Sequence, residues 1–365
     1  MKKAEGKKLR IAQFITSQRS MPAAKGVIWA PIDLGLEIAD TLANRGHQTT
    51  FYAPPSPSIT GHKIISGNLR QGVFDEANGR GMQAELKKMP YGVPQVALFD
   101  AYLLKLMFDD AARGKYDLLH VHHERALPFI EHCPVPTVIT LHDPINPFAK
   151  RAFSLFAGPK THFVSISQAQ RRAAPRLPYA ATVYNGIDTA AFRLGDDQRR
   201  KRLLFCSRLV PQKGVEDAIF AAKASGLELD IVGRYYDRKY FDLVAKSFNR
   251  QIHYRGNIER RRLPSIYGQA KALLFPIKWE EPFGLVMIEA MACGTPVIAY
   301  DRGSVREVIK DGVTGFIVKD KRQLVSAIKK IDRLDPLACR AWVERKFSVK
   351  RMVDDYEELY LKLAR

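Results

Sequence analysis

Trp279-Glu280-Glu281-Pro282-Phe283-Gly284-Leu285-Val286-Met287-Ile288-Glu289-Ala290-Met291-Ala292-Cys293-Gly294-Thr295-Pro296 decides how this chain is read. The stretch begins extended, because a residue before proline is pushed out of the helical region. From about Gly284 the spacing of Val286, Met287, Ala290 and Met291 predicts a helix that Gly294 and Pro296 end. Glu281 then stands just before a helix N-terminus and Glu289 lies inside an apolar helix, where a carboxylate requires a partner. Glu289 comes about five residues along that helix, roughly 7–8 Å at the helical rise. Two carboxylates so separated could hold two hydroxylated groups with a diphosphate between them, the layout of a sugar nucleotide. The plainer alternative has Glu281 capping the helix and Glu289 paired with an internal Arg or Lys.

Upstream, Leu203–Cys206 is a predicted strand, and Ser207-Arg208-Leu209-Val210-Pro211-Gln212-Lys213-Gly214 leads from it into a helix. Arg208 and Lys213 are thereby held at the carboxyl edge of a sheet, next to a helix N-terminus, an arrangement suited to phosphate. Further strands are expected at 227–232, 252–255, 272–276, 297–300 and 315–318, with helices between them and two more near 321–331 and 349–363. The first half repeats the alternation. Strands are expected at 9–15, 49–53, 117–121, 136–141, 161–164 and 182–184, with helices at 33–45, 96–112 and after Ser167. Residues 56–95 are rich in Gly, Pro and Lys and are expected to hold loops and a short helix. Alternating strands and helices imply parallel sheets, which bind ligands outside the carboxyl ends of their strands. Polar residues recur there: His120-Val121-His122-His123, His142-Asp143, Ser165-Ile166-Ser167 and Asn185-Gly186. Alternation puts His120 and His122 on one face of the strand, where one of them could be a core histidine; His122 falls at the strand end and is a cleft candidate.

The 365 residues suffice for two domains with real cores. No run approaches the roughly 18 apolar residues of a membrane span. The N-terminus, Met1 to Lys8, is charged and leads straight into a strand, unlike a signal peptide. Four scattered cysteines without Cys-x-x-Cys fit a reduced, cytoplasmic protein without a zinc site. The formal charge of +20 favours an anionic partner, an acceptor or a membrane surface, and no nucleic-acid motif is present. There is no Asp-x-Asp to clamp a diphosphate through a metal, no Gly-x-Ser-x-Gly elbow and no Gly-x-Gly-x-x-Gly. A metal-dependent clamp, a serine hydrolase and a dehydrogenase are therefore disfavoured.

The stretch from Glu281 to Glu289 and on to Pro296-Val-Ile-Ala resembles the E-x7-E signature of retaining glycosyltransferases of family 4, which have the GT-B fold. Asn185-Gly186-Ile187-Asp188, Ser207 to Gly214, Gly303-Ser304-Val305-Arg306-Glu307-Val308 and Asp311-Gly312-Val313-Thr314-Gly315 agree in order. The resemblance implies an α/β protein of two Rossmann-like domains with parallel sheets facing a central cleft: 1–185 for the acceptor, 186–348 for the nucleotide sugar, and a helix at 349–365 returning to the N-terminal domain. It implies that Arg208 and Lys213 hold the donor diphosphate, Glu281 takes hexose hydroxyls and Glu289 the ribose hydroxyls. Phe283, Gly284 and Leu285 contribute backbone contacts, and His122 lies next to the donor sugar. Where the family often has a Gly-Gly pair, this chain has Lys25-Gly26-Val27, which leaves Gly26 as a diphosphate contact and the acceptor geometry open. Ser207 replaces the family's usual Gly.

The expected activity is metal-independent, retaining transfer of a hexose, glucose or mannose in type, from a nucleotide diphosphate sugar to an acceptor hydroxyl. UDP-sugars are favoured over GDP-sugars, and no cofactor is required. The acceptor is a glycan, lipid or small molecule, with a lipid-linked or anionic one expected, and the enzyme is expected to meet the inner membrane face. The rivals are a same-fold phosphorylase or sugar-nucleotide epimerase and, in another class, a non-catalytic basic binder of anionic polymer or lipid.

Overall fold

In a computed structural model, residues 7–22, 29–73, 92–195 and 201–365 are described. The chain divides into two compact units. One is Met1–Ile166, Arg171–Val183 and Met352–Arg365; the other is Ser167–Gln170 and Tyr184–Arg351.

The first unit is built on seven parallel strands in the order β3-β2-β1-β4-β5-β6-β7: β1 (Arg10–Phe14), β2 (Gln48–Tyr52), β3 (Lys63–Ile65), β4 (Leu118–Val121), β5 (Thr137–Leu141), β6 (Thr161–Ser165) and β7 (Tyr179–Thr182). Among its helices are α1 (Ala30–Asn44), α2 (Gly92–Ala112) and α3 (Pro147–Leu155); α4 (Gln168–Arg172) follows β6. All residues of β4 and β5 are buried, as expected of a parallel sheet covered on both faces. Phe14, Leu119, Val121, Ile139 and Phe163 pack on one side with Met107 and Phe153. Ile15, Phe51 and Ala39 pack in a second cluster.

The second unit has six parallel strands in the order β10-β9-β8-β11-β12-β13: β8 (Arg202–Cys206), β9 (Leu229–Val232), β10 (Ile252–Gly256), β11 (Ala270–Phe275), β12 (Val297–Tyr300) and β13 (Gly315–Val318). Its helices include α5 (Val215–Ser225), α6 (Arg238–Ala245), α7 (Leu263–Gly268), α8 (Leu285–Ala292), α9 (Val305–Val308), α10 (Lys321–Ile328) and α11 (Pro336–Lys346). The closing helix, α12 (Val349–Leu363), belongs to the first unit from Met352 onward. Two parallel, Rossmann-like halves make this the GT-B α/β fold. No described helix is long and apolar enough to cross a membrane.

Several elements differ from expectation. The strand expected at 182–184 is Tyr179–Thr182. Its last ladder bond runs from Val183 N to Ser165 O, 2.9 Å, while the Tyr184 hydroxyl is drawn off to Glu307, 2.9 Å. The short strand β3 lies in the stretch expected to be loops and a short helix; residues 74–91 of that stretch fall outside the described residues. Helices α3 and α11 were not expected. In both, few residues are buried: Phe153 in α3, and Cys339 and Val343 in α11. Neither therefore buries the wide apolar stripe by which a surface helix packs on its core.

Candidate functional site

Each sheet reverses its strand order once, at β1/β4 in the first unit and at β8/β11 in the second. Ligands of open α/β sheets bind at such switch points, and the candidate residues cluster there.

In the second unit, β8 ends at Cys206 and runs through Ser207 and the exposed Arg208 to a 3-10 turn, Pro211–Lys213. Gly214 then caps α5 with φ +73°, where a Cβ would stand 2.1 Å from the Pro276 carbonyl oxygen. Only glycine lets this turn close against the end of β11. The turn buries Lys213, whose Nζ sits 4.8 Å from the centre of the Trp279 ring and 2.5 Å from Glu281 Oε2. Trp279 Nε1–H donates to the same oxygen at 2.9 Å, leaving Oε1 without a hydrogen bond among the described residues. Burial pushes the Lys213 ammonium down from its usual range; Glu281 opposes that shift and Arg208 adds to it. Arg208 thus acts on the same spot electrostatically, and it makes no ion pair among the described residues.

The segment bearing Glu281 is clamped from behind. Ser304 N donates to Glu281 O at 3.0 Å, Ser304 Oγ to Phe283 O at 2.7 Å, and Gly303 N to Glu280 Oε2 at 2.8 Å. Gly303, at φ +55°, approaches so closely that a Cβ would lie 2.2 Å from Glu281 O. The Phe283 ring is core, packed against Tyr184 and Phe347, so only its backbone is available to a ligand. Gly284, at φ +80°, is the N-cap of α8 and lacks a side-chain cap. The N–H groups that open α8, from Leu285 on, are of the kind left unsatisfied at a helix N-terminus. Glu281 is therefore not the helix cap; its side chain pairs with Lys213 and Trp279. Glu289 is buried on α8 and accepts from the Tyr267 hydroxyl at 2.8 Å, with Cys206 Sγ 3.4 Å from that hydroxyl. Burial raises the Cys206 thiol to about 12 and the Tyr267 phenol well above its usual value, so both stay protonated near neutral pH.

In the first unit, four histidines stand in or just after β4 and its neighbour β5, beside the switch. His120, wholly buried, bonds Thr140 Oγ1 at 2.8 Å and the Tyr360 hydroxyl at 2.6 Å, and Thr140 in turn meets the Tyr356 hydroxyl at 2.8 Å. It is a core histidine tied to α12. His123 Nδ1 accepts from Arg125 N at the turn after β4. His122 Nδ1 lies 3.0 Å from His142 Nε2, with the rings stacked 5.3 Å apart, and its Nε2 is buried without a hydrogen bond among the described residues. Desolvation holds all three buried imidazoles neutral, His120 down to about 3, His142 to about 4 and His122 well below its usual value. His122 can therefore offer a neutral nitrogen to a hydroxyl. Gly26 lies outside the described residues. Among the described residues no group of three His, Cys, Asp or Glu is placed to hold a metal ion.

His142 was expected only as one of the polar residues at strand ends and Ser304 only within a matching motif, and Tyr267 had no expected role. His142 carried a usable signal: it stands one residue past β5, as His122 stands one past the neighbouring β4. Tyr267 carried none, since nothing in its local pattern ties it to Glu289.

The model described as "Glycosyl transferases group 1" matches residues 187–345, and that described as "Glycosyltransferase Family 4" matches 36–191. An uncharacterized 41.2 kDa protein in the cps region of Klebsiella pneumoniae is 32% identical over 43% of this chain and 45% of its own length. Phosphatidyl-myo-inositol mannosyltransferase of Mycolicibacterium smegmatis is 26% identical over 78% of this chain and 75% of its own. The crystal structure of Anabaena HepE in complex with UDP and glucose superposes with a TM-score of 0.68 at 18% identity, covering 96% of this chain and 98% of that one.

Proposed function

This chain belongs to the group 1 and family 4 glycosyltransferases, and on that premise we propose that it transfers a hexose, with retention, from a nucleotide diphosphate sugar to an acceptor hydroxyl without a metal. The observation that supports the reading best is the Lys213–Glu281 pair with Arg208 beside it, at the switch point of the second sheet. Here a buried ammonium and an exposed guanidinium offer positive charge to a diphosphate. The open Oε1 of Glu281 accepts hydrogen bonds from hexose hydroxyls, Glu289 accepts from the ribose, and the backbone from Phe283 to Leu285 supplies N–H groups. His122 presents a neutral imidazole to a donor-sugar hydroxyl, a role taken from the family resemblance.

In the reaction, the C1–O bond to the β-phosphate breaks while the acceptor oxygen bonds to C1 on the same face. The acceptor proton passes to the departing phosphate oxygen. Arg208 and Lys213 stabilise the charge that develops on that phosphate, which is electrostatic stabilisation of a leaving group. A UDP-sugar is the favoured donor, and UDP with glucose occupies the similar HepE structure. A lipid-linked or anionic acceptor at a membrane surface fits the net charge of +20, and one similar mannosyltransferase is named for a phosphatidylinositol.

The test is a thermal-shift panel of UDP, GDP and ADP sugars followed by nucleotide-release assays with the best donor. A bound donor raises the melting temperature by mass action. If no nucleotide diphosphate raises it and none is released, the reading is wrong.

A further inference from the structure

One helix of the first unit leaves half of its apolar arc uncovered. At about 100° per residue, Leu155, Phe148, Ala152, Phe156, Ala149 and Phe153 succeed one another around α3 and its C-cap. The Phe153 end of this arc is buried in the core, 5.7 Å ring to ring from Phe163. At the other end Phe148 is 85% exposed and Leu155 78%. Lys150 and Arg151 are exposed on the rest of the circumference, and Arg151 falls beside the Leu155 end of the stripe. The helix start is fixed, because Asn146 accepts from Ala149 N at 2.8 Å and Pro147 occupies the first turn. The exposed apolar side chains are thus presented on an ordered element.

The sequence that carries this helix is one-sided in charge over a long stretch. Residues 144–187 contain Lys150, Arg151, Lys160, Arg171, Arg172 and Arg176 and not one Asp or Glu. With 38 acidic residues in 365, a stretch of that length would hold about four or five on average. An exposed apolar stripe edged by cations, with acids absent from the surrounding sequence, is the pattern of a helix that lies in a lipid interface. Its apolar side chains enter the acyl boundary while Lys and Arg reach anionic headgroups.

We propose that α3, through Phe148, Leu155, Phe156, Lys150 and Arg151, docks the protein on an anionic bilayer. The purpose of the docking, bringing the enzyme to a lipid-linked acceptor, rests on the functional reading above; the docking itself does not depend on catalysis.

The test is flotation of the full chain, without donor, on vesicles of phosphatidylcholine alone or with phosphatidylglycerol. The wild type should float only with the anionic vesicles, and less as salt rises. Phe148→Ser with Leu155→Ser changes exposed positions only and should weaken partition by roughly 10- to 100-fold. Lys150→Glu with Arg151→Glu should weaken it too, whereas Lys223→Glu with Lys329→Glu, on the other unit, should leave it unchanged. A fluorophore on Ala152→Cys should shift to the blue on anionic vesicles. Equal flotation of the α3 and control variants would trace the binding to net charge alone and overturn the proposal. So would sedimentation showing that the wild type self-associates through this stripe and the serine variant does not. Vesicle binding without donor turnover would leave the docking standing and sink the enzymatic reading; turnover without vesicle binding would do the reverse.

Discussion

Replacing Glu281 with Gln separates two roles that an ordinary loss-of-function mutation would merge. Lys213 Nζ is held 2.5 Å from Glu281 Oε2, with side chains only 9% and 12% exposed. Any phosphate that takes Lys213 must compete with that carboxylate. Two unit charges 4 Å apart attract by about 4 kcal/mol at an effective dielectric of 20, which is a ceiling, because the diphosphate will not displace the pair completely. Taking about 1–2 kcal/mol as the part released, Glu281→Gln should bind UDP, which has no hexose, roughly 5- to 30-fold more tightly. Gln can still accept from Lys213 and Trp279 through its carbonyl, but it then presents an NH₂ where Oε1 stood. The charged acceptor for hexose hydroxyls is lost, at about 1.5–3 kcal/mol for a charge-assisted hydrogen bond, so turnover should fall roughly 10- to 100-fold. Lys213→Met should instead weaken UDP by a similar factor. Calorimetric titration with UDP and a nucleotide-release assay with the UDP-sugar read the two effects separately. Opposite signs for the two variants in UDP affinity are the signature. If Glu281→Gln weakens UDP as Lys213→Met does, the carboxylate is not competing with the phosphate. If its turnover is unchanged, Glu281 does not hold the sugar.

Two further outcomes follow from buried polar groups. His120, His122 and His142 are held neutral in the fold by desolvation, with two of them down to about 3 and about 4, while the unfolded chain protonates near 6.5. The unfolded state therefore binds more protons below pH 6.5, and stability present above that pH falls as pH drops toward 4, by up to about 1.4 kcal/mol per pH unit for each histidine. Guanidinium midpoints at pH 7.5, 6.0 and 5.0 check this; His142→Asn should flatten the slope by about a third, and no fall between pH 7 and 5 would refute it. Tyr267→Phe removes the 2.8 Å donor from buried Glu289, so it should cost about 1–3 kcal/mol of stability, seen in the denaturant midpoint. With Glu289 on the ribose, it should also raise KM for the donor more than it lowers kcat.

The alternation of strands and helices, and with it the two parallel sheets, could be read from the chain because buried parallel strands are continuous apolar runs with little else to imitate. The helix after Gly284 was legible for the same reason: Met287, Ile288, Ala290 and Met291 are all buried, and Gly294 and Pro296 close the run. What escaped were elements whose burial is thin or whose partners are distant in sequence. Helix α3 announces its start with Asn146-Pro147, a cap and a first-turn proline, yet its apolar residues cover too much of its circumference to mark a core face, since half of them face away from the core. That same excess makes it a docking surface. The partners of the candidate site were hidden differently. Trp279 lies two residues from Glu281, but its role depends on which way an indole turns; Tyr267 reaches Glu289 across 22 residues, and Ser304 reaches Phe283 across 21. Local pattern could mark Glu281 and Glu289 as carboxylates in need of partners. It could not say that Glu281 already has one in Lys213, 68 residues upstream, and a carboxylate paired with that ammonium is one that a diphosphate must compete with. The pairing turns Glu281 from a plain hydrogen-bond acceptor into a regulator of Lys213's charge, which is why its removal should strengthen one half of the donor and weaken the other.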